Sequence, residues 1–256
     1  SVASRGLGDV YKRQIIKSKK VIAVSGTHGK TTVSAMTASI LQSKYGDVGY
    51  LIGGVLGDGS WSARLGSNEY FIVEADEYDS AFFDKRSKFI HYFPNILAIN
   101  NIEFDHADIF DDLTPILKQF SHLLRTIPAN GQVVFHENDQ TTKHLVDKEN
   151  WFDVYSIGND KQFYYDETKN LFIFNGKEYD LDELPFFGEH NYKNALMAMC
   201  LAYLCDVPYE ESFQALKNYT GVKRRLEVIF HGNTHLVYDD FAHHPTAIEA
   251  VSEAIK

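Results

Sequence analysis

The stretch VIAVSGTHGKTT, residues 21–32, decides how this chain folds and what it can bind. Its first part, residues 21–24, is a short apolar run rich in β-branched side chains, which is typical of a buried strand. Small and glycine residues follow as far as Gly29, and Lys30 opens a segment with helical spacing. A strand, a tight turn and a helix N-terminus direct backbone N–H groups and the positive end of the helix dipole to one point, which predicts an anion-binding site.

The residue types in this turn favour a nucleoside triphosphate as the anion. Gly26 and Gly29 let the backbone approach a phosphate, Lys30 supplies a mobile cation, and the Thr31 hydroxyl can coordinate Mg²⁺. The general phosphate-binding loop has four residues between its glycines, whereas Thr27 and His28 alone separate these two. The alternative is a plain glycine turn with a solvated lysine, but G-K-T-T directly after a strand favours nucleotide binding.

Composition limits the classes of partner. The chain has 256 residues, a formal net charge of −10 and 44% hydrophobic residues, which allows one large α/β domain and part of another. The acidic balance argues against nucleic acid or an anionic membrane, and no apolar run reaches the roughly 18–20 residues of a membrane span. Cys200 and Cys205 are predicted to be buried free thiols, which indicates a cytoplasmic protein.

Short apolar runs alternate with helical patterns along most of the chain. The strand-like runs lie at residues 21–24, 50–55, 71–75, 96–102, 132–136 and 154–157. The helical patterns lie at residues 31–42, 113–127, 187–204 and 209–218, and a glycine-rich loop or hairpin tip lies at residues 56–67. This alternation predicts an α/β fold whose open, mostly parallel sheet has helices on both faces.

Three further segments depart from this alternation. Residues 162–181 hold alternating aromatics and an Asn175–Gly176 turn, which predicts a small antiparallel appendage. Residues 1–14 have no clear period, and we interpret them as a non-native leader before a nucleotide-binding domain at residues 15–222. Residues 223–256 offer one strand (235–240) and one helix (245–256), which cannot bury a core, so we expect the truncated start of a Rossmann-like second domain.

Polar stretches follow three predicted strands, where open α/β sheets bind their ligands. The first is the phosphate turn. The second, EADEYD at residues 74–79, begins with Glu74, which continues a buried-type strand and is interpreted as a carboxylate beside a phosphate-bound Mg²⁺ rather than part of a solvated face. The third, NNIEFDHAD at residues 100–108, carries His106. Taken alone, His106 could be a core or surface histidine. Because the other two strand ends carry Lys30, Thr31 and Glu74, it becomes a candidate ligand of a second metal ion. We expect neighbouring strands to bring Lys30, Glu74 and His106 to one pocket.

The second half of the chain offers fewer candidates. Asn191 and Asn194 are three residues apart on a predicted helix, so they could recognise a base or ribose edge or merely cap the helix start. Arg225, beside Arg224 at the domain joint, could clamp a polyphosphate or be a solvated linker charge. His243 follows the last predicted strand, which ends at Asp240, and both residues would face back across the cleft.

Six motifs, in this order, resemble the Mur ligase family. They are GTHGKTT (26–32), EADEYD (74–79), NIEFDHAD (101–108), GEHNYKNA (188–195), RRLE (224–227) and DDFAHHPT (239–246). The histidine of the first motif and the HHP of the last look like the muramate-activating branch. SARLG (62–66) and EYDSAFFDKRSKF (77–89) are similar to the members that act in peptidoglycan recycling.

The resemblance implies a carbon–nitrogen ligase that uses ATP and Mg²⁺. ATP would phosphorylate the lactyl carboxylate of UDP-N-acetylmuramate, and the amine of L-alanyl-γ-D-glutamyl-meso-diaminopimelate would attack the acyl phosphate. The same resemblance implies a set of nucleotide-binding residues: Gly26, Thr27, His28, Gly29, Lys30, Thr31 and Thr32 at the phosphates, Asn191 and Asn194 at the adenine, Arg225 at the phosphates, and Asp240 and His243 at the nucleotide. It also implies metal ligands and a catalytic set, with Thr31 and Glu74 on one Mg²⁺, Glu74 and His106 on a second, and Lys30, Glu74 and His106 carrying catalysis.

The chain departs from the family pattern at two points. Several relatives carry a carbamylated lysine about fifteen residues after the motif histidine, whereas Ser121 stands there, so we expect no such modification. Compared with the family, we also expect this sequence to lack the N-terminal uridine-binding domain and most of the C-terminal domain. We therefore expect the chain alone to bind ATP weakly and to catalyse nothing.

Two other functions remain open at this stage. The first is the single-amino-acid ligase that adds L-alanine to UDP-N-acetylmuramate. The basic residues Lys85, Arg86 and Lys88 favour a tripeptide with several carboxylates over L-alanine, although they could also form a solvated loop. The second, of another class, is a regulatory NTPase, which would hydrolyse nucleotide without a carboxylate acceptor.

Overall fold

A computed structural model describes residues 16–76, 79–81, 84–103, 113–149, 151–158, 163–232, 235–242 and 245–255. Its strands are β1 (Lys20–Ser25), β2 (Gly49–Leu51), β3 (Ala63–Arg64), β4 (Tyr70–Glu74), β5 (Asp79–Ala81), β6 (Asp84–Ser87), β7 (Ile96–Ile99), β8 (Gln132–His136), β9 (Asp153–Ile157), β10 (Phe163–Asp166), β11 (Leu171–Phe174), β12 (Lys177–Asp180), β13 (Glu227–His231) and β14 (Leu236–Asp239). Its α-helices are α1 (Lys30–Tyr45), α2 (Leu113–Leu124), α3 (Gln140–Val146), α4 (Glu189–Tyr203), α5 (Tyr209–Lys217) and α6 (Pro245–Ala254). None of these helices is both long and apolar enough to cross a membrane.

Seven strands form one sheet in the order β3–β2–β4–β1–β7–β8–β9. All neighbours pair in parallel except β3, which runs antiparallel to β2 at the edge. In chain order, β2 and β4 lie on one side of β1 in the sheet, and the later strands β7, β8 and β9 lie on the other side. The carboxyl end of β1 is therefore the switch point at which such sheets bind ligands. The predicted mostly parallel α/β sheet is confirmed.

Alternate side chains of β1 enter two separate cores. Ile22 and Val24 pack on one face, in a cluster with the buried residues of α1, α4 and α5. Val21 and Ala23 point to the other face, in a cluster with buried residues of α2 and α3. Because both faces are covered, the central strands read as continuous apolar runs in the sequence.

A separate three-stranded antiparallel sheet, β10–β11–β12, packs against α4 and confirms the predicted appendage. Asn175 (φ 51°) and Gly176 (φ 79°) form the two-residue turn between β11 and β12. Two successive positive φ angles are typical of a type I′ hairpin, which explains the Asn–Gly sequence. Phe174 stacks on Tyr209 of α5 with ring centroids 4.6 Å apart.

Several strands were not predicted from the sequence. β13 pairs with β14 as a hairpin, whereas we expected a linker and then a single strand. The signal was a short apolar run at residues 228–230 before a Gly–Asn pair. The paired strands β5 and β6 were also missed, because their polar sequence lacks a strand pattern. None of the described residues after Val222 is buried, and the domain boundary there stays a prediction.

Candidate nucleotide-binding site

The carboxyl ends of β4, β1 and β7 lie side by side, with β1 in the centre. Val24 pairs in register with Glu74, and Ser25 pairs with Ile99. The three strands predicted to converge on one pocket are therefore neighbours in the sheet. His106 and His243 lie outside the described residues, so their places in the site stay predictions.

The turn after β1 requires glycine at two positions. Gly26 has φ 131°, and a Cβ there would lie 2.9 Å from the backbone N and O of Asn101. Gly29 has φ 80° and caps α1, and a Cβ there would come closer than 3.0 Å to Asn194 Oδ1 and Asn100 Nδ2. Among the residues that the structure describes, no side chain caps this N-terminus, and its first turn holds no acidic residue. The end of α1 thus keeps the features that suit a phosphate group.

Two amides that follow β7 support this turn, and sequence reasoning did not assign them. Asn101 Oδ1 accepts a hydrogen bond from His28 N at 2.7 Å, and its backbone oxygen accepts one from Thr27 N at 3.0 Å. Asn100 Nδ2 donates to His28 O at 3.0 Å. The signal was the Asn–Asn pair at the point where an apolar run stops. β7 ends at Ile99 rather than at residue 102 as predicted, and Asn101 bonds the phosphate turn.

Lys30 lies over the turn that it follows. Its Nζ donates to Gly26 O at 2.7 Å and is 3.6 Å from Asp76 Oδ1, while 10% of the side chain is exposed. Asp76 comes two residues after β4. The ammonium group is thus held between the phosphate turn and the end of the neighbouring strand, where it can meet a polyphosphate.

Glu74 lies beside the first turn of α1. Its Oε1 accepts a hydrogen bond from the Thr31 hydroxyl at 2.9 Å, and its Oε2 accepts one from Gly53 N at 2.6 Å. Burial raises the pKa of Glu74 above its ordinary value, and the negative charge of Asp76 acts in the same direction. The bonds from Gly53 and Thr31 and the charge of Lys30 partly oppose this rise.

The pairing of Thr31 with Glu74 fits a magnesium ion. A hydroxyl and a carboxylate are hard oxygen ligands, and protein-bound Mg²⁺ commonly takes one or two carboxylates together with phosphates and water. In the described part of the chain, no three His, Cys, Asp or Glu side chains are grouped as a complete metal cage. The metal assignments of Thr31, Glu74 and His106 remain predictions.

The two candidate amides of α4 lie in different surroundings. Asn194 is 6% exposed, and its Oδ1 accepts a hydrogen bond from Asn100 Nδ2 at 3.1 Å. Asn191 Nδ2 instead donates to Phe187 O at 2.9 Å, one turn back. The first amide thus reaches under the phosphate turn, while the second closes the start of its own helix. Their contacts with an adenine stay predictions.

The segment that leads to Arg225 passes beside the site. Lys223 N donates to Val55 O at 2.9 Å, and Gly54 separates Val222 from Thr31 so closely that a Cβ on it would lie 2.7 Å from Val222 Cγ1. The Arg225 guanidinium lies 5.5 Å from the Phe241 ring centre. A phosphate contact for Arg225 remains a prediction.

Asp240 has a structural task at the same joint. Its two carboxylate oxygens accept hydrogen bonds from Leu226 N and Ala242 N, both at 2.7 Å. Burial lowers the pKa of the nearby His190, while the charge of Asp240 opposes that change. A direct contact of Asp240 with a nucleotide stays a prediction.

Three remaining sequence expectations concern single positions. Cys200 and Cys205 are free and buried, as predicted, and burial raises the pKa of both thiols to about 12. Ser121 lies on α2 with its hydroxyl 3.5 Å from Glu149 Oε1. The basic residues Lys85 and Arg86 lie in strand β6, and Lys88 begins a short 3₁₀ helix (Lys88–His91).

Comparisons with known proteins agree with this geometry. The model of the Mur ligase middle domain matches residues 24–202. The UDP-N-acetylmuramate–L-alanyl-γ-D-glutamyl-meso-2,6-diaminoheptandioate ligase of Haemophilus influenzae is 44% identical over 247 residues, which cover 94% of this chain and 54% of that protein. The UDP-N-acetylmuramate–L-alanine ligase of Desulforamulus reducens is 34% identical over 252 residues, covering 95% of this chain and 53% of that protein.

A solved structure gives a similar result. The crystal structure of the UDP-N-acetylmuramate:L-alanyl-γ-D-glutamyl-meso-diaminopimelate ligase from Neisseria meningitides superposes with a TM-score of 0.77 at 37% identity. The match covers 85% of this chain and 71% of that one. The chain spans about half the length of the curated relatives it matches.

Proposed function

This chain belongs to the Mur ligase family, and on that premise we propose that it is the ATP-binding central part of an amide-forming ligase. The enzyme joins the tripeptide L-alanyl-γ-D-glutamyl-meso-diaminopimelate to UDP-N-acetylmuramate, in peptidoglycan recycling in the cytoplasm. The proposal depends above all on one observation: the phosphate turn, Lys30 and the Thr31–Glu74 pair meet at the switch point of the sheet. The relative named for this tripeptide reaction is 44% identical, against 34% for the one named for L-alanine.

In this proposal the residues of the site bring two anions together. The backbone N–H groups around Gly29 and the Lys30 ammonium bind the triphosphate, while Thr31 and Glu74 hold Mg²⁺, which supplies further charge neutralisation. The γ-phosphoryl group passes from ATP to an oxygen of the lactyl carboxylate, and ADP leaves. The tripeptide amine then attacks the carbonyl carbon, the amide bond forms and phosphate departs. His106 is proposed to complete the metal site, and Arg225, Asp240 and His243 to close over the nucleotide.

The remaining parts of the same enzyme are proposed as the chain's partners. One part would bind the uridine nucleotide, and the other would complete the segment that begins near residue 223. No nucleic acid or membrane partner is proposed, in keeping with the net charge of −10. The second candidate function is that of a UDP-N-acetylmuramate–L-alanine ligase, since a relative with that name also matches the chain.

The test is phosphate release by the complete natural protein with ATP, Mg²⁺ and UDP-N-acetylmuramate. We expect release that needs the muramate carboxylate and that is faster with the tripeptide than with L-alanine. A preference for L-alanine would support the second candidate, and steady hydrolysis without any carboxylate acceptor would identify a regulatory NTPase instead.

A matched pair of lysine variants assigns the reaction to this site. Lys30→Met should lower turnover by about 100-fold, because it removes the lysine charge that stabilises the phosphoryl group during transfer. Lys44→Met is the control, since Lys44 lies near the other end of α1 and pairs with Glu211 at the surface. Equal activity of the two variants would refute the assignment of Lys30.

A further inference from the structure

The buried side chain of Asn100 joins α4 to the phosphate turn. We propose that Asn100 and Asn194 are a pair of positioning residues that holds Gly29, and with it the N-terminus of α1, in the conformation that binds the nucleotide phosphates. The inference rests on the proposed function. It gives Asn194 a task that does not depend on any contact with the base.

The hydrogen bonds fix how the Asn100 amide is oriented. Its Nδ2 faces two carbonyl oxygens, His28 O at 3.0 Å and Asn194 Oδ1 at 3.1 Å. An amide nitrogen has two hydrogens to donate and an amide oxygen has none, so only this orientation satisfies both acceptors. Asn100 and Asn194 are 7% and 6% exposed, so water competes little for these bonds.

The same pair forms the surface on which Gly29 rests. A Cβ on Gly29 would come closer than 3.0 Å to both Asn194 Oδ1 and Asn100 Nδ2. The turn is therefore in van der Waals contact with the two amides and cannot move further toward α4. Because His28 O is bound to Asn100 and to Asn101 Nδ2 at 3.2 Å, the turn is also held from moving away.

The Oδ1 atom of Asn100 gives a further argument for the positioning role of this residue. Asn100 Oδ1 is buried and accepts no hydrogen bond from the described residues. Buried acceptors without a donor are uncommon, because losing water without a replacement is unfavourable. If this position only needed filling, an apolar side chain of similar size would avoid that penalty. The amide is thus retained for its two donated bonds, which hold the turn.

The experiment compares four variants of the complete natural protein: Asn100→Ala, Asn194→Ala, the double variant and Asn100→Leu. Affinity for a non-hydrolysable ATP analogue, the KM for UDP-N-acetylmuramate and the melting temperature are measured for each. We expect the analogue to bind about tenfold more weakly to each single variant, and Asn100→Leu to behave like Asn100→Ala although it fills the space. The double variant should lose little more than one single variant, because the two share a bond. The KM for UDP-N-acetylmuramate should stay unchanged.

Asn95→Ala is the control at the other end of the same strand. Asn95 precedes β7, and its Oδ1 accepts a hydrogen bond from Val21 N at 2.9 Å. This bond lies at the amino ends of β1 and β7, whereas the site lies at their carboxyl ends. This variant should lower the melting temperature and leave analogue affinity unchanged. Wild-type affinity in Asn100→Leu, or losses that simply add in the double variant, would overturn the positioning pair. Failure of the wild-type protein to bind the analogue would instead refute the proposed function.

Discussion

Glu74 is a half-buried carboxylate whose charge is only partly compensated by Gly53, Thr31 and Lys30. Its pKa is raised, which means that the folded state holds the proton more tightly than the unfolded state does. The ionised form therefore destabilises the fold increasingly as the pH rises above the ordinary value of a glutamic acid. Such sites commonly exchange stability for function.

We predict that Glu74→Gln raises the stability of the ligand-free protein at pH 7 by about 1 kcal/mol, while turnover falls to background. Glutamine can still accept from Gly53 N and donate to the Thr31 hydroxyl, so both bonds of the native side chain have a replacement. The difference from the wild type should grow with pH and vanish near pH 4. Urea unfolding from pH 4 to 8 measures it.

Glu211→Gln serves as the control for this comparison, because Glu211 pairs with Lys44 at the surface and is 49% exposed. It should show no such gain with pH. If Glu74→Gln proved less stable than the wild type throughout this range, the buried charge would have to be compensated in the native protein.

His136, at the carboxyl end of β8, gives a second effect of pH on stability. Burial lowers the pKa of His136 to about 4, the charge of Lys193 acts in the same direction, and Asp139 opposes it. Between pH 6.5 and about 4 the unfolded chain takes up a proton that the folded protein refuses, so stability falls as the pH falls. At about 1.4 kcal/mol per pH unit, the loss has an upper limit of about 3 kcal/mol.

His136→Gln should therefore flatten the decline in stability over this window. Denaturant unfolding at pH 7, 6, 5 and 4.5 measures the difference from the wild type. His144→Gln on α3 is the comparison, since that side chain is exposed. A parallel decline in His136→Gln and the wild type would show that other groups cause the acid sensitivity.

The element made by β1, its turn and α1 depends on two glycines that look alike in φ and differ in surroundings. Gly29 begins α1 with φ 80°, and a Cβ would strike Asn194 and Asn100. Gly46 ends α1 with φ 76°, and a Cβ there would meet no atom within 4 Å. The two positions separate the cost of a positive φ angle from the cost of blocking the site.

We predict that Gly29→Ala lowers ATP affinity by at least about 100-fold, because the turn must shift away from the amides that support it. Gly46→Ala should cost about 1–3 kcal/mol of stability, because a residue with a side chain rarely adopts this backbone conformation, and should leave ATP affinity unchanged. Calorimetric titration with a non-hydrolysable ATP analogue and thermal unfolding give the two quantities. Unaltered affinity in Gly29→Ala would contradict the placement of the phosphates at this turn.

The sequence predicted the strands, turns and helices that depend mainly on residues close to one another in the chain. The apolar run of β1, the glycine turn and the start of α1 were predicted because strand, turn and helix are each encoded within about ten residues. The bonds of Asn100 to His28 and Asn194 were not predictable, since they join parts of the chain 72 and 94 residues apart. The residue types at these strand ends indicated a site, but only the fold shows which of them touch.

At the scale of the whole molecule, burial is unevenly distributed. Both hydrophobic clusters are built from residues up to Val222, and no described residue beyond it is buried. Large apolar side chains there are exposed instead, among them Ile229 at 58%, Phe230 at 52% and Phe241 at 49%. Exposed apolar side chains such as these, on a small hairpin and one helix, favour association with other apolar surfaces.

We predict that removing residues 224–256 from this chain shifts its melting temperature by less than about 3 °C, because no described residue beyond Val222 is itself buried. Binding of a fluorescent hydrophobic dye should fall severalfold in the same variant, since the exposed apolar patch goes with the hairpin. Trp61→Ser is the control: this side chain is 85% exposed and is not part of the removed segment, so dye binding should hardly change. A large drop in melting temperature on truncation would mean that the hairpin and α6 stabilise the central sheet, and the predicted boundary at residue 222 would then be wrong.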